Sequence, residues 1–286
     1  MNDKNLLAER FETHRTHLRA VAYRMLGSLT EADDAVQEAW LRLSRSDSES
    51  VENLGGWLTT VVGRVCLDML RSRTSRGEEP LDARVPDPIV GSVDGVDPEH
   101  QALLADSVGL ALLVVLETLA PAERLAFVLH DMFAVPFDEI APMVGRTPAA
   151  ARQLASRARR RVQGSVPTPD SDLTRQRQVV DAFLTAARGG DFDALVAVLD
   201  PAVVLRADTG AGAPLEVRGA AAVAGQALTF QRMALLARPA LVNGSVGIVT
   251  DVDGQAMAVL GFTITDGKVT TIDILADVER LRGLPM

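Results

Sequence analysis

The chain has 286 residues, a net charge of -9 and 47% apolar residues. That length suits two or three compact domains, and that composition excludes a disordered chain. A single cysteine, Cys66, excludes an intramolecular disulfide and a cysteine-built zinc site. No basic and apolar leader opens the sequence, and no apolar run reaches about 18 residues. The expectation is a soluble cytoplasmic protein with no membrane partner, metal or cofactor. The acid is unevenly spread: residues 77–100 hold seven acids against one Arg. Basic groups cluster locally, so any DNA contact is focused rather than global.

Residues 5–26 predict an amphipathic helix with Leu7, Phe11, Leu18, Val21 and Met25 on one face. His14 and His17 on it are read as ordinary helix residues. Thr30 is placed to cap the next helix, with Asp33 three residues on, and the helix runs to about Leu43. Val36, Ala39, Trp40 and Leu43 face inward, while Asp34, Gln37, Glu38 and Leu41 share the outer face. That outer face alone fits either a solvated surface or a docking face. Residues 44–56 predict a loop ending in Gly55-Gly56. A helix over 57–73 turns Trp57, Val61, Val65 and Met69 inward. Its other face carries Arg64, Asp68 and Arg71, followed by Arg73, and suits solvent or phosphates.

Residues 77–100 predict an extended acidic linker. Helices over 106–119 and 121–133 follow, with Leu125, Val128 and Leu129 inward and His130 structural. Residues 137–162 predict two helices joined by a tight turn. Gly145 suits a left-handed C-terminal residue, Thr147 a cap and Pro148 the first helical position. Pro142 lies inside the first of the pair and bends it. Ala151, Leu154, Ala155, Ala158 and Val162 make a small-residue stripe on the second. Arg152, Gln153, Ser156, Arg157 and Arg160 make the opposite stripe. Small residues allow close helix crossing, and Arg and Gln reach base edges and phosphates, so the pair reads as a helix-turn-helix. The alternative is a solvated basic face.

After a short linker at 165–172 the pattern becomes α+β. Helices are expected over 173–188, 191–199 and 219–231. A strand begins at Val203, and three more lie near 239–250, 255–265 and 268–275. Asp253-Gly254 and Asp266-Gly267 predict hairpin turns. If this part resembles cone-shaped isomerases or cyclases that use a pocket carboxylate as general base, the resemblance implies Asp208 and Glu216 as the candidates. Residues 167–286 contain no His, Tyr, Cys or Trp, which leaves little for acid–base chemistry.

The run Asp34-Ala35-Val36-Gln37-Glu38-Ala39-Trp40-Leu41-Arg42 resembles the polymerase-binding motif of bacterial sigma factors. Trp57-Leu58 through Leu67-Asp68-Met69-Leu70-Arg71 resembles their minus-ten helix, although many members carry Arg where Gly63 stands. Residues 137–162 resemble their minus-thirty-five-reading domain. The absence of a middle domain and the order of modules resemble the extracytoplasmic-function group with a fused SnoaL-like domain. Asp266, Gly267, Lys268 and Val269 match a signature of that subgroup. The tail from Ala276 matches its Asn-Pro-Asp-Lys-Leu run loosely.

The resemblance implies two all-α helical sigma domains, the second with a helix-turn-helix, followed by an α+β SnoaL-like cone. The expected boundaries are 1–76, linker 77–100, 101–164, linker 165–172, and 173–286. It implies core polymerase binding through Asp34, Gln37, Glu38 and Leu41. It implies promoter DNA contacts through the loop at 47–56, through Arg64, Arg71 and Arg73, and through Arg152, Gln153, Ser156, Arg157 and Arg160. Arg159 to Arg161 would hold phosphates. Residues 266–269 would form a regulatory contact, and the C-terminal domain could hold a small ligand. Two other readings stay open. One is a ligand-responsive DNA-binding regulator that never meets polymerase. The other is a SnoaL-type isomerase or cyclase with a DNA-binding module.

Overall fold

The computed structural model describes residues 3–45, 53–75, 84–91, 109–165, 169–211 and 214–284. Most of the loop expected at 47–56 lies outside them, as do residues 92–108 of the expected linker and first helix. The chain forms two compact units. One holds residues 1–81 and 115–165, and the other 82–114 and 166–286.

The first unit is helical. It contains α1 (Asp3–Leu26), α2 (Leu29–Arg45), α3 (Leu54–Ser75), α5 (Pro121–Phe127), α6 (Phe137–Val144) and α7 (Pro148–Ser165). The chain enters it within α4 (Leu110–Glu117), between Val114 and Val115. α5 continues as a π-helical turn, Val128–Met132. Leu18, Val21 and Met25 of α1 are buried with Ala35, Val36, Ala39 and Leu43 of α2. Ser28, not Thr30, receives the first-turn amide, from Glu31 at 3.4 Å, and Asp33 pairs with Arg19 at 2.7 Å. On α3 the fully buried stripe is Leu58, Val62 and Cys66, with Leu70 continuing it. Of the expected stripe only Val65 is buried. α3 is packed on two sides, so apolar residues occur nearly all round it and the pattern shifts by one.

The second unit is a seven-stranded sheet in the order β1-β4-β5-β6-β7-β2-β3. The strands are β1 (Val90–Gly91), β2 (Leu199–Asp208), β3 (Leu215–Arg218), β4 (Ala237–Val242), β5 (Ser245–Val252), β6 (Gln255–Thr265) and β7 (Lys268–Leu275). Its helices are α8 (Leu173–Gly189), α9 (Phe192–Val198), α10 (Ala220–Thr229), α11 (Gln231–Ala234) and α12 (Val278–Arg282). The α+β cone expected from the sequence is present, with three differences. The run at 239–250 is two strands, because Asn243 and Gly244 turn the chain with φ of 49° and 78°. β2 lies parallel to β7, so the sheet is mixed. β3 is an edge strand the sequence reading did not contain. The turns at Asp253-Gly254 and Asp266-Gly267 form as expected, with positive φ at all four residues.

Alternation gives the sheet two faces. Phe262, Ile264, Ile272 and Ile248 pack with Phe183 and Leu184 of α8 and Val223 of α10 in one core. Gly261, Asp273, Val259 and Leu275 point to the opposite face, where α12 packs on β6. The expected linker is part of this unit. Val85 to Val90 are buried, and Val90 and Gly91 pair with Val242 and Leu241. The Ile89 amide donates to Asn243 Oδ1 at 3.0 Å, and Asn243 N donates to the Ile89 carbonyl at 2.9 Å. Residues 84–91 of the expected linker are packed on this unit, with Val90 and Gly91 as a two-residue edge strand, and are not a solvated tether.

Candidate functional site

α2 puts Asp34, Gln37 and Leu41 on one exposed face at helical spacing, with Glu38 half-buried beside them. Glu38 pairs with Arg42 at 2.9 Å, an exposed i,i+4 contact that fixes little. Leu41 is 37% exposed, an apolar centre within a polar rim. The acidic, amide and apolar groups expected together are together.

α3 exposes Arg64, Asp68 and Arg71. Arg73, also expected at DNA, is half-buried and ion-paired with Glu31 of α2. The opposite side of α3 packs against the helix-turn-helix half of the unit. A Cβ on Gly63 would lie 3.2 Å from Leu129, 3.4 Å from Leu125 and 3.5 Å from Met143. Arg124 of α5 is 1% exposed, donates to the Arg24 carbonyl at 3.2 Å and pairs with Glu117 at 2.5 Å. Gly63 is therefore a close-approach residue, and a long side chain there meets three others.

Cys66 lies on the same buried side. Burial pushes its thiol up from 9.0 to about 12, and Arg124 pulls it back only partly. The folded state holds this proton where the unfolded state has lost it. This term therefore lowers stability as pH rises through that window. We expect iodoacetamide at pH 8 to alkylate native Cys66 at least 100-fold slower than urea-unfolded Cys66. Equal rates would mean that this interface is open in solution.

α6 ends at Gly145, φ 64°, and Thr147 Oγ1 accepts from Ala150 N at 3.3 Å to start α7. Ala151, Ala155 and Ala158 are fully buried. Arg152, Gln153, Arg157 and Arg160 are exposed and Ser156 is half-buried. Arg152 lies 5.3 Å above the Phe137 ring, which itself stacks on His130 at 3.8 Å. Three arginines have partners within the unit. Arg157 pairs with Glu123 at 2.9 Å, Arg159 with Asp131 at 2.5 Å, and Arg161 reaches the Thr118 carbonyl at 3.2 Å. Arg160 has no ion pair among the described residues.

In the second unit, Asp277 caps α12 and so fixes Arg280 at its first turn. Arg280 joins two distant segments to α12. Nε is 3.0 Å from Asp87 Oδ1, Nη1 is 2.9 Å from Asp208 Oδ2, and Nη2 is 2.8 Å from the Val85 carbonyl. Asp208 is thus neutralised, and its Oδ1 also accepts from Gly210 N at 3.0 Å. Glu216 is exposed and pairs with Arg218. The 266–269 turn is engaged by its own unit: Asp266 N and Gly267 N donate to the Asp170 carboxylate at 3.1 and 3.0 Å, and Lys268 Nζ to the Ala197 carbonyl. The sequence reading missed Arg280, whose partners lie 193 and 72 residues away.

The modules match known families. Residues 10–76 match Sigma-70 region 2, and residues 109–162 match Sigma-70, region 4. The ECF RNA polymerase sigma factor SigJ of Mycobacterium tuberculosis is 40% identical over 296 residues, covering 96% of this chain and 93% of that protein. The probable ECF RNA polymerase sigma factor SigI of the same species is 36% identical, over 99% of this chain and 98% of that protein. The crystal structure of M. tuberculosis SigJ superposes with a TM-score of 0.78 at 38% identity, covering 97% of this chain and 99% of the other. The chain belongs to the extracytoplasmic-function RNA polymerase sigma factors. Among the described residues no helix is long and apolar enough to cross a membrane.

Proposed function

We propose that this chain directs promoter-specific transcription initiation in the cytoplasm and that its second unit tunes that activity in cis. Core polymerase docks on Asp34, Gln37, Glu38 and Leu41 of α2. α3 presents Arg64 and Arg71 to the minus-ten element. α7 presents Arg152, Gln153, Ser156, Arg157 and Arg160 to the minus-thirty-five element. The observation that carries this reading is the paired exposure of the polar α2 face and the basic α7 stripe, each on a buried small-residue or aliphatic backing.

The packing of α3 on α5 and α6 supports the regulatory half. The two elements are named for positions about 25 base pairs apart, about 85 Å of duplex at about 3.4 Å per pair. A compact unit of about 130 residues has a radius of gyration near 14 Å. The packed form therefore does not reach both elements, and activation requires α3 and α7 to separate. Arg157, Arg159 and Arg161, now held by Glu123, Asp131 and Thr118, act on DNA only by exchanging those partners. The second unit acts by binding rather than by catalysis. Its candidate base Asp208 is held by Arg280, and residues 167–286 contain no His, Tyr, Cys or Trp.

Promoter binding by alanine variants tests the assignment of the stripe. Arg152→Ala costs about 1–3 kcal/mol at one base pair and relaxes preference there. Arg160→Ala weakens binding evenly across sequences and lowers the salt slope by about one unit. Identical losses for both on all sequences would contradict the assigned stripe.

A further inference from the structure

The outer face of the sheet holds a cavity of about 180 Å³. Its floor is Gly261, Thr263 and Asp273, its side is Val242 and Ser245, and the Gly109–Leu112 segment lines it too. Gly261 makes the room: a Cβ there would lie 2.9 Å from Leu110 Cδ2. This space lies across the sheet from the Phe183 and Ile272 core, so it is not the interior of the cone.

One polar group in it is incompletely used. Asp273 is 1% exposed, and its Oδ1 accepts from Arg206 Nε at 2.7 Å. No donor reaches Oδ2 among the described residues, and the residue borders the cavity. Burial pushes its carboxyl above the usual range, with Arg206 opposing. A buried carboxylate oxygen without a donor is costly, so the site favours an occupant that supplies one.

Charge decides the class of occupant. Arg206 already neutralises Asp273. A second buried cation would carry a desolvation cost with no counter-charge, and an anion would meet the carboxylate. Apart from Ser245 and Thr263, the remaining lining residues are apolar. For scale, a dry cavity of about 150 Å³ holds benzene. We propose that this cavity binds a small neutral alcohol or phenol, its apolar body against Leu110 and Val242 and its hydroxyl donating to Asp273 Oδ2. The ligand's hydroxyl is the determinant, and its ring or chain is limited to about benzene size.

The test titrates the full-length protein with phenol and separately with benzene, following the amide resonances of Gly261, Phe262, Thr263 and Asp273. Phenol is expected to give saturable shifts at these four, with benzene at least about tenfold weaker because it leaves the carboxylate unpaired. Leu110→Trp fills the space and is expected to abolish the phenol shifts while the other sheet resonances stay in place. Equal affinity for phenol and benzene, no saturable phenol shift, or phenol shifts that survive Leu110→Trp in a folded protein would each overturn the proposal.

Discussion

Arg280→Ala lowers the stability of the second unit by about 3–5 kcal/mol and frees residues 84–91 from the sheet. Asp87 and Asp208 are 6% and 3% exposed, and Arg280 is the ion-pair partner of both. Removing it takes the guanidinium from two buried carboxylates and from the Val85 carbonyl, and losing one partner of a buried pair is costly. The carboxylates regain water only by undocking the linker strand, whose ladder to β4 is two residues long. Urea unfolding and limited proteolysis read the two effects, with new cleavage expected between Arg84 and Gly91. Deleting the tail from Asp277 removes the same arginine with the buried Leu281 and acts in the same direction. In transcription with core polymerase we expect both changes to raise output, because the linker between the two sigma modules gains freedom. Unchanged stability and unchanged cleavage would show that Arg280 does not hold the linker.

The charge-reversed pair Asp34→Arg with Glu38→Arg loses association with core polymerase by more than 100-fold. Asp34 is exposed and has no ion pair among the described residues, and Glu38 contacts only the exposed Arg42. The fold therefore loses at most a few tenths of a kcal/mol. At an interface, close charge pairs couple by about 1.5–7 kcal/mol, and reversal turns attraction into repulsion. Co-purification with core and circular dichroism separate the two effects. Unchanged binding by a folded double variant would remove α2 from the interface.

The helix-turn-helix was legible because its signals are local. Gly145, Thr147 and Pro148 mark the turn, and three buried alanines repeat at helical spacing. The α2 face was legible for the same reason. The linker was not. Val85-Pro86-Asp87-Pro88 has the composition of a tether, and in its burial it relies on Arg280, 193 residues on, and on Asn243 at the edge of β4. A partner that distant leaves no periodic trace in either segment. The division of β4 from β5 was missed although Asn243-Gly244 is a strong hairpin signal, because apolar residues run on both sides of it. On α3, residues of both apolar stripes recur every four positions. Only the packing of Gly63 against Leu125, Leu129 and Met143 shows which is inside.

Gly63 also bears on function. An Arg there would meet those three side chains and pry α3 from α5 and α6. Gly63 fits a chain that stores α3 packed against the helix-turn-helix half of its unit.

The most direct test of the account is transcription from a randomised promoter library by core polymerase with and without the full-length protein. The account predicts transcripts only when the protein is present, from promoters sharing two fixed elements at a fixed spacing, and none with the Asp34→Arg, Glu38→Arg variant. Transcripts that are independent of the protein, or that persist with that variant, would contradict it.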